Sequence, residues 1–297
     1  MVGRREFLYG LGVTIGGGVL LGSYPPARAS EEWSEKLVRS FAELEKQRGG
    51  RLGVAVADTL SGKSAAYRGD ERFPMCSTFK TLAVAGLLAR VDAGKEQLDR
   101  RIRFEAKEVV VNSPISKDHV GGNGMSLAEI CEAAITVSDN TAGNLLLASL
   151  GGPEGLTAYA RSLGDSVTRL DRNEPDLNEA ASGDVRDTTS PVAMLSDIRT
   201  LVTGNALTAA SREHLIGWLV GNKTGGARLR AGFPRDWRVG DKTGSGEKGT
   251  TNDVAVVWPP ANRAPLFVAV YLTESSSESD HRNATLASVA RMVAASL

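Results

Sequence analysis

Ser77-Thr78-Phe79-Lys80 sets a hydroxyl and an ammonium three residues apart. On a helix, positions i and i+3 share a face, so the Lys80 amine can reach the Ser77 oxygen. Serine is a weak nucleophile until a base takes its proton. With Ser77 at a helix start, free backbone N–H groups would lie where an oxyanion develops. The chemistry open to such a pair is acyl transfer. Two further triplets could serve it, Ser138-Asp139-Asn140 and Lys242-Thr243-Gly244. Each motif alone fits a blander role, a helix cap or a solvated lysine.

The elements around these residues follow from pattern. Ser77-Lys80 follows Phe73-Pro74-Met75-Cys76 and opens an apolar helix, 78–91, with Gly94 as its stop. Trp33, Leu37, Phe41 and Leu44 recur at helical spacing before Gly49-Gly50. A short apolar strand is expected over 52–57 and a return strand over 64–68, joined by the turn residues Asp58 to Gly62. Ser126-Leu127-Ala128-Glu129 is a capping box. Residues 140–150 read as a helix closed by Gly151-Gly152, and Pro153 and Pro191 sit where first helical turns begin, the latter after the cap Ser190. After Gly232 the period changes to two, predicting strands over 237–241, 251–258 and 266–273, then a last helix near 279–295. The Lys242 triplet falls at the end of the first of these strands, where Gly244 leaves the backbone open to close approach.

Strands therefore lie at both ends of the chain and helices between them. The expectation is an α/β (α+β) protein with one antiparallel five-stranded sheet flanked by the terminal helices. An all-α domain, 69–219, is inserted into an α/β domain made of 30–68 and 220–297. A cleft between the two is a natural ligand site.

Composition bounds the rest. The 297 residues carry 35 basic and 35 acidic side chains, 41% hydrophobic and 24% charged residues. That excludes a disordered chain and gives no electrostatic footprint for nucleic acid. His119, His214, His281, Cys76 and Cys131 are scattered without zinc-site spacing, so neither metal nor cofactor is expected. Residues 1–29 read as an export signal. Arg4-Arg5-Glu6-Phe7-Leu8 precedes a Gly-rich apolar run, 9–21, and Ala27-Arg28-Ala29 forms an A-x-A cleavage site. The run is short for a membrane span. The paired arginines resemble a twin-arginine signal. The mature chain is then expected to be periplasmic or secreted, off the membrane and monomeric.

Taken together, in this order and spacing, the three motifs resemble those of the class A serine β-lactamases. The similarity runs over essentially the whole mature chain. Val137-Ser138-Asp139-Asn140-Thr141-Ala142 and Gly240-Asp241-Lys242-Thr243-Gly244-Ser245-Gly246 match with their neighbours. Arg169 to Glu179 looks like the family's active-site loop, closed by Arg186-Asp187-Thr188-Thr189. The resemblance implies a β-lactamase/transpeptidase-like fold and hydrolysis of penicillins and cephalosporins through a serine acyl-enzyme. Ser77 would attack the lactam carbonyl, with Lys80 or Glu174 as the base. The backbone N–H groups of Ser77 and Ser245 would form the oxyanion hole. Ser138 would pass a proton to the leaving nitrogen, and Asn140 would bind the substrate amide. Lys242, Thr243 and Ser245 would face the substrate carboxylate. Glu174 and Asn178, four residues apart, would hold the hydrolytic water, and an Arg172–Asp187 pair would pin the loop.

Departures from the family pattern matter as much. Thr251 stands where many members carry a carboxylate-binding arginine, and Arg228 matches a position where others place a substitute. Asn112 replaces an aromatic at the cleft mouth, and Asn173 replaces a loop tryptophan. With Ser245 and Gly246, the more open wall at Asn112 suggests room for bulky cephalosporin side chains. The usual disulfide partners of Cys76 and Cys131 fall on Gly246 and Val84, so both thiols are expected to be free. Two related activities share the serine and lysine: a penicillin-sensitive D-Ala-D-Ala peptidase and a non-hydrolysing β-lactam sensor. Both would lack the water site of Glu174 and Asn178.

Overall fold

The computed structural model describes residues 27–297, with side chains from Ser30. The export-signal reading lies outside the described residues except at its last three positions. These begin α1 (Ala27–Arg48), which is followed by β1 (Arg51–Asp58) and β2 (Ser64–Tyr67). The two-residue strand β3 (Phe73–Pro74) leads through a 3-10 turn (Cys76–Thr78) into α2 (Phe79–Asp92). Short strands β4 (Arg101–Ile102) and β5 (Met125–Ser126) pair with each other before α3 (Leu127–Thr136). Helices α4 (Asn140–Leu150) and α5 (Gly152–Ser162) follow. A long loop then reaches β6 (Thr188–Thr189), α6 (Pro191–Thr203) and α7 (Ala209–Val220). The chain closes with α8 (Leu229–Gly232), β7 (Arg238–Ser245), β8 (Thr251–Trp258), β9 (Leu266–Thr273) and α9 (Ser279–Ala294).

The main sheet is antiparallel and five-stranded, in the order β2-β1-β9-β8-β7. Its alternation sorts side chains cleanly. Along β9, Leu266, Val268, Val270 and Leu272 join one core with Leu37, Phe41 and Leu44 of α1 and Leu286 and Val289 of α9. Phe267, Ala269 and Tyr271 face the other way, into a larger core built on α2 to α7. Three helix starts marked in the sequence carry side-chain caps, two of them on the residues predicted. Ser126 and Glu129 satisfy each other's backbone N–H groups, Asp139 accepts from Ala142, and Ser190 accepts from Ala193.

One expected boundary moves. The strand predicted to stop at Asp241 continues to Ser245, because Lys242, Thr243 and Gly244 pair with Val254, Asp253 and Asn252 of β8. Periodicity could not show this, since the added residues are polar yet buried up to Gly244. The polar triplet is thus part of an edge strand rather than its end.

Candidate active site

The turn that carries Ser77 is fixed from three sides. Pairing of Phe73 with Thr189 and Pro74 with Thr188 ties its approach to the end of the long loop. Asn252 of β8 donates to the carbonyls of Pro74 (2.8 Å) and Met75 (3.1 Å). Gly244 lets β7 come alongside, since a Cβ there would lie 2.7 Å from the Met75 oxygen. The close approach that Gly244 was expected to permit is therefore first of all to the protein's own backbone. Ser77 sits in the 3-10 turn just ahead of α2 rather than in the α-helix itself.

Lys80 lies one turn on and is fully buried. Its Nζ reaches Ser77 Oγ (2.9 Å), the Ser138 carbonyl (2.9 Å), Asn140 Oδ1 (2.7 Å) and Glu174 Oε1 (2.9 Å). An ammonium has three protons to donate, which the Ser138 carbonyl, Asn140 Oδ1 and Glu174 Oε1 can accept, and the Ser77 hydroxyl is the one of these four neighbours with a proton of its own to give. Burial drives the Lys80 pKa below its ordinary value, against the pull of Glu174. Gly143 of α4 makes room for this side chain, because a Cβ there would meet Lys80 Cε at 2.8 Å.

Ser138 precedes α4 with φ +59°, a left-handed backbone that costs a non-glycine residue about 1–3 kcal/mol. Its Oγ lies 3.0 Å from Lys242 Nζ and 3.5 Å from Lys80 Nζ. Lys242 is also fully buried, and burial followed by the like charge of Lys80 holds its pKa well down. The neighbouring Asp139 serves both the cap and the cleft wall. Its carboxylate accepts from Ala142 N, Ile115 N, Ser116 N and Ser116 Oγ, all within 2.7–2.9 Å.

The long loop is closed on itself by Asp187. Its carboxylate accepts from the Asp171 and Arg172 backbone (2.8 and 2.9 Å) and from Arg172 Nε (2.6 Å). Within the loop, Glu174 is buried with Oε1 3.2 Å from Ser77 Oγ. Asn178 Nδ2 donates to Glu174 Oε2, while Asn178 Oδ1 is a buried acceptor with no protein donor. The Glu174–Pro175 peptide is cis. Arg228 is drawn in by four acceptors: the carbonyls of Gly244 (2.8 Å) and Asn252 (2.7 Å), Ser245 Oγ (2.7 Å) and Asn283 Oδ1 (3.0 Å). Burial lowers its pKa. Ser245 faces Thr251 across the β7–β8 ladder, so Arg228 reaches the strand end where Thr251 offers no charge.

All the residues singled out from sequence meet here. Ser77, Ser138, Asn140, Asn178, Arg228 and the run Thr243 to Ser245 line a cleft of about 210 Å³, with Lys80, Lys242 and Glu174 buried beneath. Beyond Asn112 it opens into a wider mouth of about 720 Å³ between the long loop and Glu247. Three contributors were not foreseen. Asn144 brackets Glu174, accepting from its N–H and donating to its carbonyl, both at 2.9 Å. Thr224 meets Thr243 Oγ1 at 2.5 Å and lines the cleft. Asn252 holds the turn that carries Ser77. The polar, Gly-rich run from Asn222 to Gly226 was a usable signal for Thr224. Asn144 and Asn252 lie inside a helix and a strand with nothing to mark them. Among the described residues no cluster of metal-ligating side chains is present, and Cys76 and Cys131 are free, buried thiols.

A serine with a buried lysine and carboxylate in contact, at the joint of a sheet edge and a helical body, defines a serine-nucleophile acyl-transfer hydrolase. Comparison with known proteins narrows the class. Residues 36–297 match the family described as the β-lactamase enzyme family. The chain is 54% identical over 253 residues to β-lactamase AST-1 of Nocardia asteroides, covering 85% of this chain and 81% of that protein. It is 47% identical over 275 residues to β-lactamase CTX-M-8 of Citrobacter amalonaticus, covering 93% and 92%. Its fold matches the solved ancestral (GNCA) class A β-lactamase with TM-score 0.86 and 63% identity, over 88% of this chain and 100% of that one. The chain belongs to the β-lactamase enzyme family, within class A, and its activity is β-lactam hydrolysis.

Proposed function

We propose that Ser77 opens the β-lactam ring of penicillins and cephalosporins and that Glu174 releases the resulting ester, a reaction that confers antibiotic resistance. Attack by Ser77 Oγ on the lactam carbonyl sends its proton into the Lys80–Glu174 pair. The carbonyl oxygen takes up negative charge between the backbone N–H groups of Ser77 and Ser245. Ser138, between two lysine amines, hands a proton to the leaving nitrogen. Glu174 then takes a proton from a water that donates to its carboxylate and to Asn178 Oδ1, and the water oxygen attacks the ester. Asn140 holds the substrate's amide side chain. Lys242, Thr243, Ser245 and Arg228 bind its carboxylate, and Gly244 keeps the strand close to the nucleophile.

The observation that carries this reading is the buried triangle of Ser77 Oγ, Lys80 Nζ and Glu174 Oε1, with sides of 2.9, 2.9 and 3.2 Å. Mass spectrometry of Glu174→Ala after addition of a penicillin tests it. A persistent acyl adduct on Ser77 is expected in the variant, and rapid return to free protein in the parent. A parent that stays acylated would point instead to a peptidase or a sensor, and a variant that turns over normally would remove Glu174 from the role. We further propose export under the twin-arginine signal in residues 1–29 to a periplasmic or extracellular space, where the chain acts as a monomer. Among the described residues no helix is long and apolar enough to cross a membrane.

A further inference from the structure

Two buried aspartates of the sheet hold the connection that brings Arg228 to the cleft. Asp241 lies on β7 opposite Ala255, and Asp253 lies on β8 opposite Thr243. Asp241 is committed on both sides of the arginine. Its Oδ2 accepts from Asn222 Nδ2 (2.6 Å), its Oδ1 accepts from Arg230 Nε (3.0 Å), and Gly225 passes so close that a Cβ there would overlap Oδ2. Asp253, in no motif read from the sequence, takes what remains. Its Oδ2 accepts from Leu229 N (3.1 Å), and both residues are fully buried.

Leu229 opens the short helix α8 directly after Arg228. The first N–H groups of a helix find no acceptor inside it, and an N–H left unpaired in the interior is costly. The turn is otherwise bonded to itself, through Arg228 N to the Gly225 carbonyl and Ala231 N to the Arg228 carbonyl, both at 3.0 Å. The Asp253 carboxyl thus ties the backbone of this turn to the sheet. One residue earlier, the Asn252 carbonyl accepts from Arg228 Nη1 (2.7 Å). Adjoining residues of β8 therefore hold the arginine by its main chain and by its side chain.

The side chains of Asn252 and Asp253 leave opposite faces of β8, as neighbours on a strand do. Asn252 reaches the carbonyls of Pro74 and Met75, which set the turn of Ser77. Asp253 reaches the turn of Arg228. The guanidinium so placed has five N–H donors. Four go to the carbonyls of Gly244 and Asn252, Ser245 Oγ and Asn283 Oδ1. None of these acceptors is a carboxylate, and the fifth donor, on Nη2 beside Ser245, remains for a ligand. We propose that Asp253 is a positioning residue for substrate binding: by holding the Leu229 N–H from β8, it fixes the backbone from which Arg228 presents that donor to the substrate carboxylate. This rests on the reading of Arg228 as a ligand of that carboxylate.

Asp253→Ala removes the acceptor, and Asp253→Asn restores one. Burial, then the charge of Asp241, raise the Asp253 pKa well above its ordinary value, which makes a neutral amide a close substitute. The amide nitrogen takes the place of Oδ1, a buried atom without a partner among the described residues. Steady-state kinetics on a carboxylate-bearing penicillin test the proposal. Asp253→Ala is expected to raise KM about fivefold with kcat little changed, and Asp253→Asn to stay within about twofold of the parent. In an Arg228→Ala background, Asp253→Ala should raise KM no further, since its effect runs through the arginine.

An unchanged KM in Asp253→Ala, beside a raised KM in Arg228→Ala, would overturn the positioning role and leave the Arg228 reading intact. A double variant whose KM rises by the product of the two single effects would overturn it as well. A loss in Asp253→Asn as large as in Asp253→Ala would overturn the hydrogen bond as the positioning contact. An unchanged KM in Arg228→Ala would instead overturn the reading beneath the proposal, and the proposal with it. Should Asp253→Ala not fold, Asp253→Ser, whose hydroxyl stops one bond short of the carboxylate oxygen, replaces it in every comparison.

Discussion

The α1–α9 face of the sheet and its β7 edge follow opposite rules. Toward α1 and α9, strand residues such as Val54, Val268 and Val270 pack on Leu37, Phe41 and Leu286 in an apolar layer. At the β7 edge of the other side, the buried groups are Lys80, Lys242, Glu174, Asp139 and Asn140. Apolar packing stabilises roughly in proportion to area removed from water. Buried ionic groups lose hydration and recover it only through well-placed partners. The terminal-helix layer is therefore organised for stability, whereas the β7 edge gives up some stability to hold buried charged groups in place.

Four substitutions would break or sharpen this contrast. The largest effect is expected from Ser77→Ala, which should cost at least about 10⁴-fold in kcat/KM while the thermal midpoint stays within a few degrees. Phe41→Ala should do the reverse. It should lose about 3–5 kcal/mol of stability in denaturant titrations, and the folded fraction should keep its kcat. Lys242→Met tests the cost of burying charge. Because burial lowers the Lys242 pKa, the unfolded chain binds more protons than the folded one between the folded pKa and the ordinary lysine value. The parent's relative stability must then rise with pH through that window. Lys242→Met should be more stable than the parent by about 1–4 kcal/mol at pH 6, and the gain should shrink as pH rises toward 10; melting curves across pH would show it. Smallest is Arg228→Ala, expected to raise KM for a carboxylate-bearing penicillin about tenfold with kcat little changed. Equal KM values would remove Arg228 from the substrate site.

The same contrast explains what could be read beforehand. Strands β8 and β9 and helix α4 fall on their predicted residues, because period-two alternation and the Asp139 cap are local signals. The reactive residues were legible as motifs whose spacing matched a family. What escaped was polar and long-range. The extension of β7 through Lys242 depends on partners in β8. Asn252 holding Met75 and Asn144 bracketing Glu174 each join residues that no local period relates. Polar contacts across the fold have no repeat to betray them, whereas apolar faces must repeat with their element.

The central pairing of β1 with β9 has a consequence for biosynthesis. It sets Arg51 opposite Thr273, so the first strand made, with β2 already available on one edge, waits for the last strand to cover the other. A nascent chain on the ribosome holds α2 to α7 without the sheet face that covers them, and the cleft is incomplete until residue 273 has emerged. Assembly is thereby deferred to the end of translation. A truncation that removes β9 should leave neither half folded.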